Sequence, residues 1–192
     1  MANMHLITGY AGEAHVTAAD QGSLHAALFG EESYVLNRGS KLAATVVSNN
    51  SITIADGDIM MQGRHARIEE DDTVSLAIEN GTQGNYRNDL IVARYTKNAS
   101  TGVEAVNLVV IKGTPAGSSP ADPAYTVGDI INDHVAQADM PLYRVKLNGL
   151  TIETVETLFT MAGQQRKIVV GSTDPASVTG LAVGDIYIYL AE

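Results

Sequence analysis

The sequence predicts a mainly β protein: an antiparallel β-sandwich or jelly-roll-like body, with one short N-terminal helix and a small C-terminal β element. Three observations predict it. From Tyr34 onward, short apolar or alternating runs follow one another, separated by Gly, Asn and Asp, which is how strands joined by tight turns read. Residues that tolerate positive φ stand at the breaks, at Asn49-Asn50, Asp56-Gly57, Asn80-Gly81 and Asn148-Gly149. Charged residues make up only 18% of the chain, there are 18 glycines, and polar positions are filled largely by Thr, Ser and Asn, a profile that suits sheets and turns better than helices.

The helix spans Thr17 to Phe29. Thr17 as N-cap with Asp20 three residues on approximates a capping box, Leu24, Ala27 and Leu28 share one face, and Gly30 is placed to end it. Gly22 weakens it. Strands are expected at Tyr34-Asn37, Leu42-Val47, Ser51-Ala55, Asp58-Gln62, Arg64-Glu69, Val74-Glu79, Asp89-Tyr95, Glu104-Lys112, Leu142-Leu147 and Thr151-Val155. Between Lys112 and Tyr125, Pro115, Pro120 and Pro123 remove ladder donors and the small residues bury little, so an extended surface connection is expected. After Ala162-Gly163-Gln164-Gln165, the runs Lys167-Val170 and Asp185-Leu190 read as a two-stranded element. The organisation is then an arm and short helix over 1–33, a sandwich body over 34–160, and a C-terminal β-hairpin or oligomerisation element over 161–192.

At 192 residues the chain has the length of about one domain. Without cysteine it has no disulfide framework, thiolate metal site or thiol nucleophile. The 12 basic against 22 acidic residues leave a net charge of −10, which repels polyanions and argues against nucleic-acid binding. No apolar stretch approaches the ~20 residues of a membrane helix, and the start lacks the basic region of a signal peptide, so neither membrane insertion nor secretion is expected.

The chemistry-bearing residues point away from catalysis. His5, His15, His25, His65 and His134 form no pair at metal-ligand spacing. Asp56 and Asp58 flank Gly57 without the remaining ligands of a calcium loop, and read as a turn. Glu69-Glu70-Asp71-Asp72 reads as a solvated run at a strand end that guards a β-edge. Phosphate-loop, dinucleotide-binding and nucleophile-elbow motifs are missing. No catalytic, cofactor-binding or metal-binding residue is assigned, no cofactor is expected, and the chain is read as not an enzyme. Tyr187 and Tyr189 alternate with Ile186 and Ile188 in the terminal strand, a candidate intersubunit face.

One ordered set of segments is more specific. Gly57-Asp-Ile-Met-Met-Gln-Gly-Arg64, Glu79-Asn-Gly-Thr82, Arg87-Asn-Asp-Leu-Ile-Val-Ala-Arg-Tyr95, Val109-Val-Ile-Lys-Gly-Thr-Pro115 and Met140-Pro-Leu-Tyr-Arg-Val-Lys-Leu-Asn-Gly149 follow one another within a stretch from Gly57 to Phe159, over half the chain. Together they resemble a receptor-binding or upper-baseplate-like module of bacteriophage and prophage tail, baseplate or tail-fibre structural proteins of Gram-positive hosts. Ile7-Thr-Gly-Tyr-Ala-Gly12 and Tyr34-Val-Leu-Asn37 resemble the N-terminal part of related proteins. The resemblance implies a virion structural protein of the tail tip, baseplate or fibre base. It would be made in the host cytoplasm and form a homo-oligomer, often a trimer, with other phage tail or baseplate proteins as partners. The alternative it leaves is a receptor-binding protein recognising a host surface saccharide. Arg87 and Asp89 are expected to flank a strand start as an ion pair or turn hydrogen bond, and Gly113 and Pro115 to end a strand and turn the chain outward.

Overall fold

Residues 7, 16–162, 168–173, 177–178 and 186–189 are described by the structure, a computed structural model. Among the described residues it is mainly β, with multiple antiparallel sheets and a single α-helix near the N-terminus. The chain divides into two compact units, Met1–Thr160 and Met161–Glu192.

Helix α1 (Ala18–Phe29) starts where the local chemistry demands. Thr17 accepts from the Asp20 amide at 3.2 Å while the Asp20 carboxylate accepts from the Thr17 amide at 2.9 Å, a reciprocal capping box. Its buried face differs from the sequence expectation: Gly22 and Ala26 are buried, whereas Leu24 and Leu28 are 54% and 67% exposed. The reason is a close backbone approach. A Cβ on Gly63 would stand 2.2 Å from the Gly22 carbonyl oxygen, so only a small-residue stripe can face this hairpin tip. The His25 ring completes the contact through Nδ1, 3.0 Å from the Gly63 carbonyl oxygen.

The first sheet holds β1 (Ser33–Val35), β2 (Ala44–Ser48), β3 (Ser51–Met61) and β4 (Arg64–Ala77). β1 and β2 pair with one edge of β3 at its two ends, and β4 pairs with the other edge. One expected turn and one expected strand end are therefore strand interior. Asp56-Gly57 bends β3 without ending it, because a Cβ on Gly57 would meet the Leu42 amide at 2.6 Å. Opposite Asp56, the register jumps from Ile68 to Thr73, so the acidic run Glu69-Glu70-Asp71-Asp72 is a bulge within β4, not its end. Asp71 takes φ 65° to make that bend.

The second sheet runs in the order β6-β5-β7-β8, with β5 (Tyr86–Lys97), β6 (Glu104–Ile111), β7 (Gln137–Asn148) and β8 (Thr151–Thr157), all antiparallel. Alternate residues of β5 and β7, such as Ile91, Tyr95, Tyr143 and Val145, are buried against the first sheet's Ile52, Ile54 and Met61. Tyr143 ties the layers directly: its hydroxyl donates to the Leu42 carbonyl at 2.8 Å, and its ring meets Phe159 edge-on at 5.5 Å.

The proline-rich connection between β6 and β7 crosses the outer face of the second sheet as a strap. Tyr86 and Ala116 exchange backbone hydrogen bonds, and the Asn88 side-chain Nδ2 donates to the Pro120 carbonyl at 3.0 Å. That cover explains why Leu90-Ile91-Val92-Ala93 is an unbroken apolar run buried on both faces.

In the second unit, β9 (Ile168–Gly171) and β10 (Ile186–Tyr189) pair in parallel, Tyr187 opposite Val169 and Tyr189 opposite Gly171. The expected C-terminal hairpin is thereby corrected. A parallel pair needs a crossover, and the fourteen residues between Gly171 and Ile186 supply its length. Lys167, Asp185 and Leu190 lie outside the described residues.

Candidate functional site

Arg87 and Asp89 sit inside β5 and not beside its start, because the strand begins at Tyr86. Their two-residue spacing puts both side chains on one face, where they are 2% and 0% exposed. The guanidinium grips the carboxylate through two parallel bonds of 2.7 and 2.8 Å, then donates to the carbonyls of Glu79 at 2.6 Å and Asn80 at 3.1 Å. Asp89 accepts from the Gly113 amide at 2.8 Å. One buried ion pair thus fastens the β4–β5 connection, β5 and the root of the strap. Gly113 is required there: a Cβ would stand 2.0 Å from the Asn88 carbonyl oxygen. The chain turns back across the sheet at this point and not outward as expected, since the strap bonds to β5. Pro115 is exposed on the strap, outside the ion-pair cluster.

On the outer face of the same sheet, under the strap, lies an open polar groove of about 480 Å³. Tyr86, Asn88, Asp122, Arg144, Lys146 and Glu153 line it. Arg144 donates to Asp122 at 2.7 Å and to Glu156 at 2.9 Å, Lys146 also pairs with Glu156, and the Asn88 amide donates to Asp122 at 2.8 Å. The result is a preoriented set of donors and acceptors beside one half-exposed tyrosine ring, chemistry suited to a polyhydroxyl ligand. Sequence reasoning missed this cluster. Arg144 and Lys146 alternate onto one strand face, and the short β7–β8 connection puts Glu156 opposite them, a readable signal. Asp122 gave none, because only the strap's path brings it to Arg144.

On the first sheet, Asp58, itself 4% exposed, meets His65 Nε2 at 2.6 Å, with Arg38 at 3.9 Å. The pair ties β3 to β4 across the sheet surface. Asp56 accepts from the Ser40 amide at 3.3 Å. Both acids of the Asp56/Asp58 pair are thus engaged separately. Among the described residues no group of three His, Asp or Glu side chains stands close enough to hold a metal ion, and no helix is long and apolar enough to cross a membrane.

Two strap contacts set an acid limit on stability. Hydrogen bonds from Arg144 hold the Asp122 carboxyl below the ordinary aspartate value of 3.8, with Asn88 adding to the effect. Burial raises Asp139, but hydrogen bonds from Arg94 and the Thr126 amide outweigh it and leave it lowered as well. A carboxyl lowered in the folded state stabilises fully above its unfolded value, and that contribution disappears as pH falls through the folded value. The melting temperature should therefore stay level down to pH ~5 and fall below ~4. Asp122→Asn and Asp139→Asn should each flatten the fall in a thermal melt series; an unchanged profile in both would contradict the assignment.

In β10, Tyr187 donates to the Thr173 carbonyl at 2.9 Å, and a Cβ on Gly171 would stand 2.8 Å from its hydroxyl. Tyr189 is 48% exposed and Ile188 45%. Strand alternation puts the two tyrosines on one face and Ile188 on the other, while the Ile186 side chain lies outside the described ones. No protein-family profile and no curated protein matches the chain.

Proposed function

We propose that the chain is a phage virion structural protein of the tail tip, baseplate or fibre base. It forms a homo-oligomer, a trimer by preference, that links the tail to the host-attachment apparatus. The reading starts from the ordered resemblance over Gly57 to Phe159. One observation carries it further: the polar residues of that stretch are consumed in fastening. Arg87, Asp89 and Gly113 lock the second sheet to its strap, and Arg144 and Lys146 brace it from outside. Residues kept for rigidity suit an assembly subunit, and the half-exposed Tyr187 and Tyr189 supply aromatic surface of the kind enriched at subunit interfaces.

Light scattering on the eluting protein tests this reading. The expected mass is a closed multiple of the 20.3 kDa chain, three-fold by preference, reduced when Tyr187 and Tyr189 are both replaced by Ser. A monomer at every concentration would reject self-assembly, and an unchanged oligomer in the double variant would reject the tyrosine face. The polar groove favours a second reading, a receptor-binding protein for a host surface saccharide. That reading predicts saccharide affinity lost on replacing Tyr86, which the linking role does not.

A further inference from the structure

The β4 and β6 edges are fastened together at both ends. Near α1, the Arg64 guanidinium donates to the Glu104 carboxylate at 2.9 and 3.4 Å. At the far end Lys112 pairs with Glu79. Between these two bolts an apolar cleft of about 250 Å³ opens into the sandwich. Ala93 and Leu142 form part of its buried floor, while Ile68 and Val74 of β4 and Val106 and Leu108 of β6 are its half-buried walls.

The acidic bulge creates this opening. Ile68 and Val74, on either side of Glu69-Glu70-Asp71-Asp72, both line the cleft, so the exposed acidic bulge joins two of its wall residues along the chain, while Arg67 and Asn107 are polar members of the lining itself. Arg67 offsets Glu69 at 2.6 Å. Among the described residues β4 pairs with β3 alone and β6 with β5 alone, so both strands also present edges here that no described strand covers.

We infer that this cleft is a docking site for an extended segment of another protein, one that seats a single aliphatic or aromatic side chain between β4 and β6 and carries Lys or Arg beside it. The size selects an anchor and not a whole ligand, because small-molecule sites span roughly 300–1,000 Å³. The mainly apolar lining, in which Arg67 and Asn107 are the polar members, favours an apolar side chain over a saccharide. Charge selects the flanks: the exposed acidic bulge between Ile68 and Val74 attracts a basic segment and speeds its approach. A second copy, itself at −10, meets repulsion on the same rim. The two strand edges add backbone hydrogen bonds to an extended chain, as in strand addition. The acids thus protect an open edge from indiscriminate pairing while admitting a basic strand. This inference does not rest on the virion reading.

The test titrates the full, methyl-labelled chain with three synthetic peptides, KTKFKTK, KTKSKTK and ETEFETE, followed by NMR. Saturable shifts at the Val74, Val106, Leu108 and Leu142 methyls are expected with the first, and binding weaker by about tenfold or more with the other two. Val106→Trp, which fills the cleft, should abolish the shifts. The exposed pair Glu70→Gln with Asp72→Asn should weaken the first peptide severalfold, and it keeps the question open to an answer if the tryptophan variant does not fold. Equal binding of the Phe and Ser peptides, shifts centred outside the cleft, or no saturable binding to millimolar concentration would each overturn the proposal.

Discussion

Replacing Arg87 by Ala should cost about 3–5 kcal/mol of folding stability, the range for breaking a buried ion pair by removing one partner. The cost has three parts. Asp89, 0% exposed, is left as a buried charge whose remaining described donor is the Gly113 amide. The Glu79 and Asn80 carbonyls lose that donor, and a long side chain's volume is lost beside its cross-strand partner Leu147, 1% exposed. Against a typical total of about 5–15 kcal/mol, this lowers the melting temperature by roughly 10 °C or more. The double variant Arg87→Met with Asp89→Leu should recover much of the loss, because it removes both charges together. Urea denaturation of the three proteins decides it. A single-variant cost below about 1 kcal/mol, the size expected of an exposed pair, would show that the clamp does not hold the sheet.

Leu142→Ala should cost about 2–5 kcal/mol by loss of buried methylenes and the cavity left behind. Leu142 is the extra residue of the β7 bulge: Ile91 pairs with Tyr143 and Val92 with Pro141, so it has no partner in the ladder. Its side chain is fully buried at the floor of the β4–β6 cleft. The bulge therefore serves to place that side chain, and truncation removes the reason for it. Leu142→Met keeps the volume and should cost less than about 1.5 kcal/mol. Equal losses for the two variants in denaturant melts would mean that the backbone irregularity, and not the filled volume, carries the stability.

Much of the fold was legible because its signals are local. Thr17 and Asp20 announce the start of α1 within four residues, and Gly30 its end. Asn148-Gly149 and the runs around it specify the β7–β8 hairpin without help from the rest of the chain. Other local signals were ambiguous in kind. Gly57 after Asp56 reads as a turn, yet the same chemistry serves a bulge, and the choice depends on Leu42 passing close by. The acidic run looked like a strand end for the same reason: its charges say solvent, and both a loop and a bulge satisfy that.

The candidate site divides along the same line. Arg87 and Asp89 were expected, on the resemblance, to flank a strand start as an ion pair or turn hydrogen bond, whereas their place within one strand and on one face came from the structure. Their partners Glu79, Asn80 and Gly113 were not expected, nor was the meeting of Asp122 with Arg144.

By itself, then, the sequence determined the β class, the helix with its cap, most strand positions and the proline-rich strap as a non-strand. Periodicity, capping and turn preference act over a few residues, and each leaves its mark in composition. Only the tertiary structure decided which runs join into β3 and β4, which face of α1 is buried, that the terminal strands pair in parallel, and where the polar groove and the apolar cleft open. Those outcomes depend on contacts between residues tens of positions apart, fixed by packing of the whole unit after the loops between them have closed.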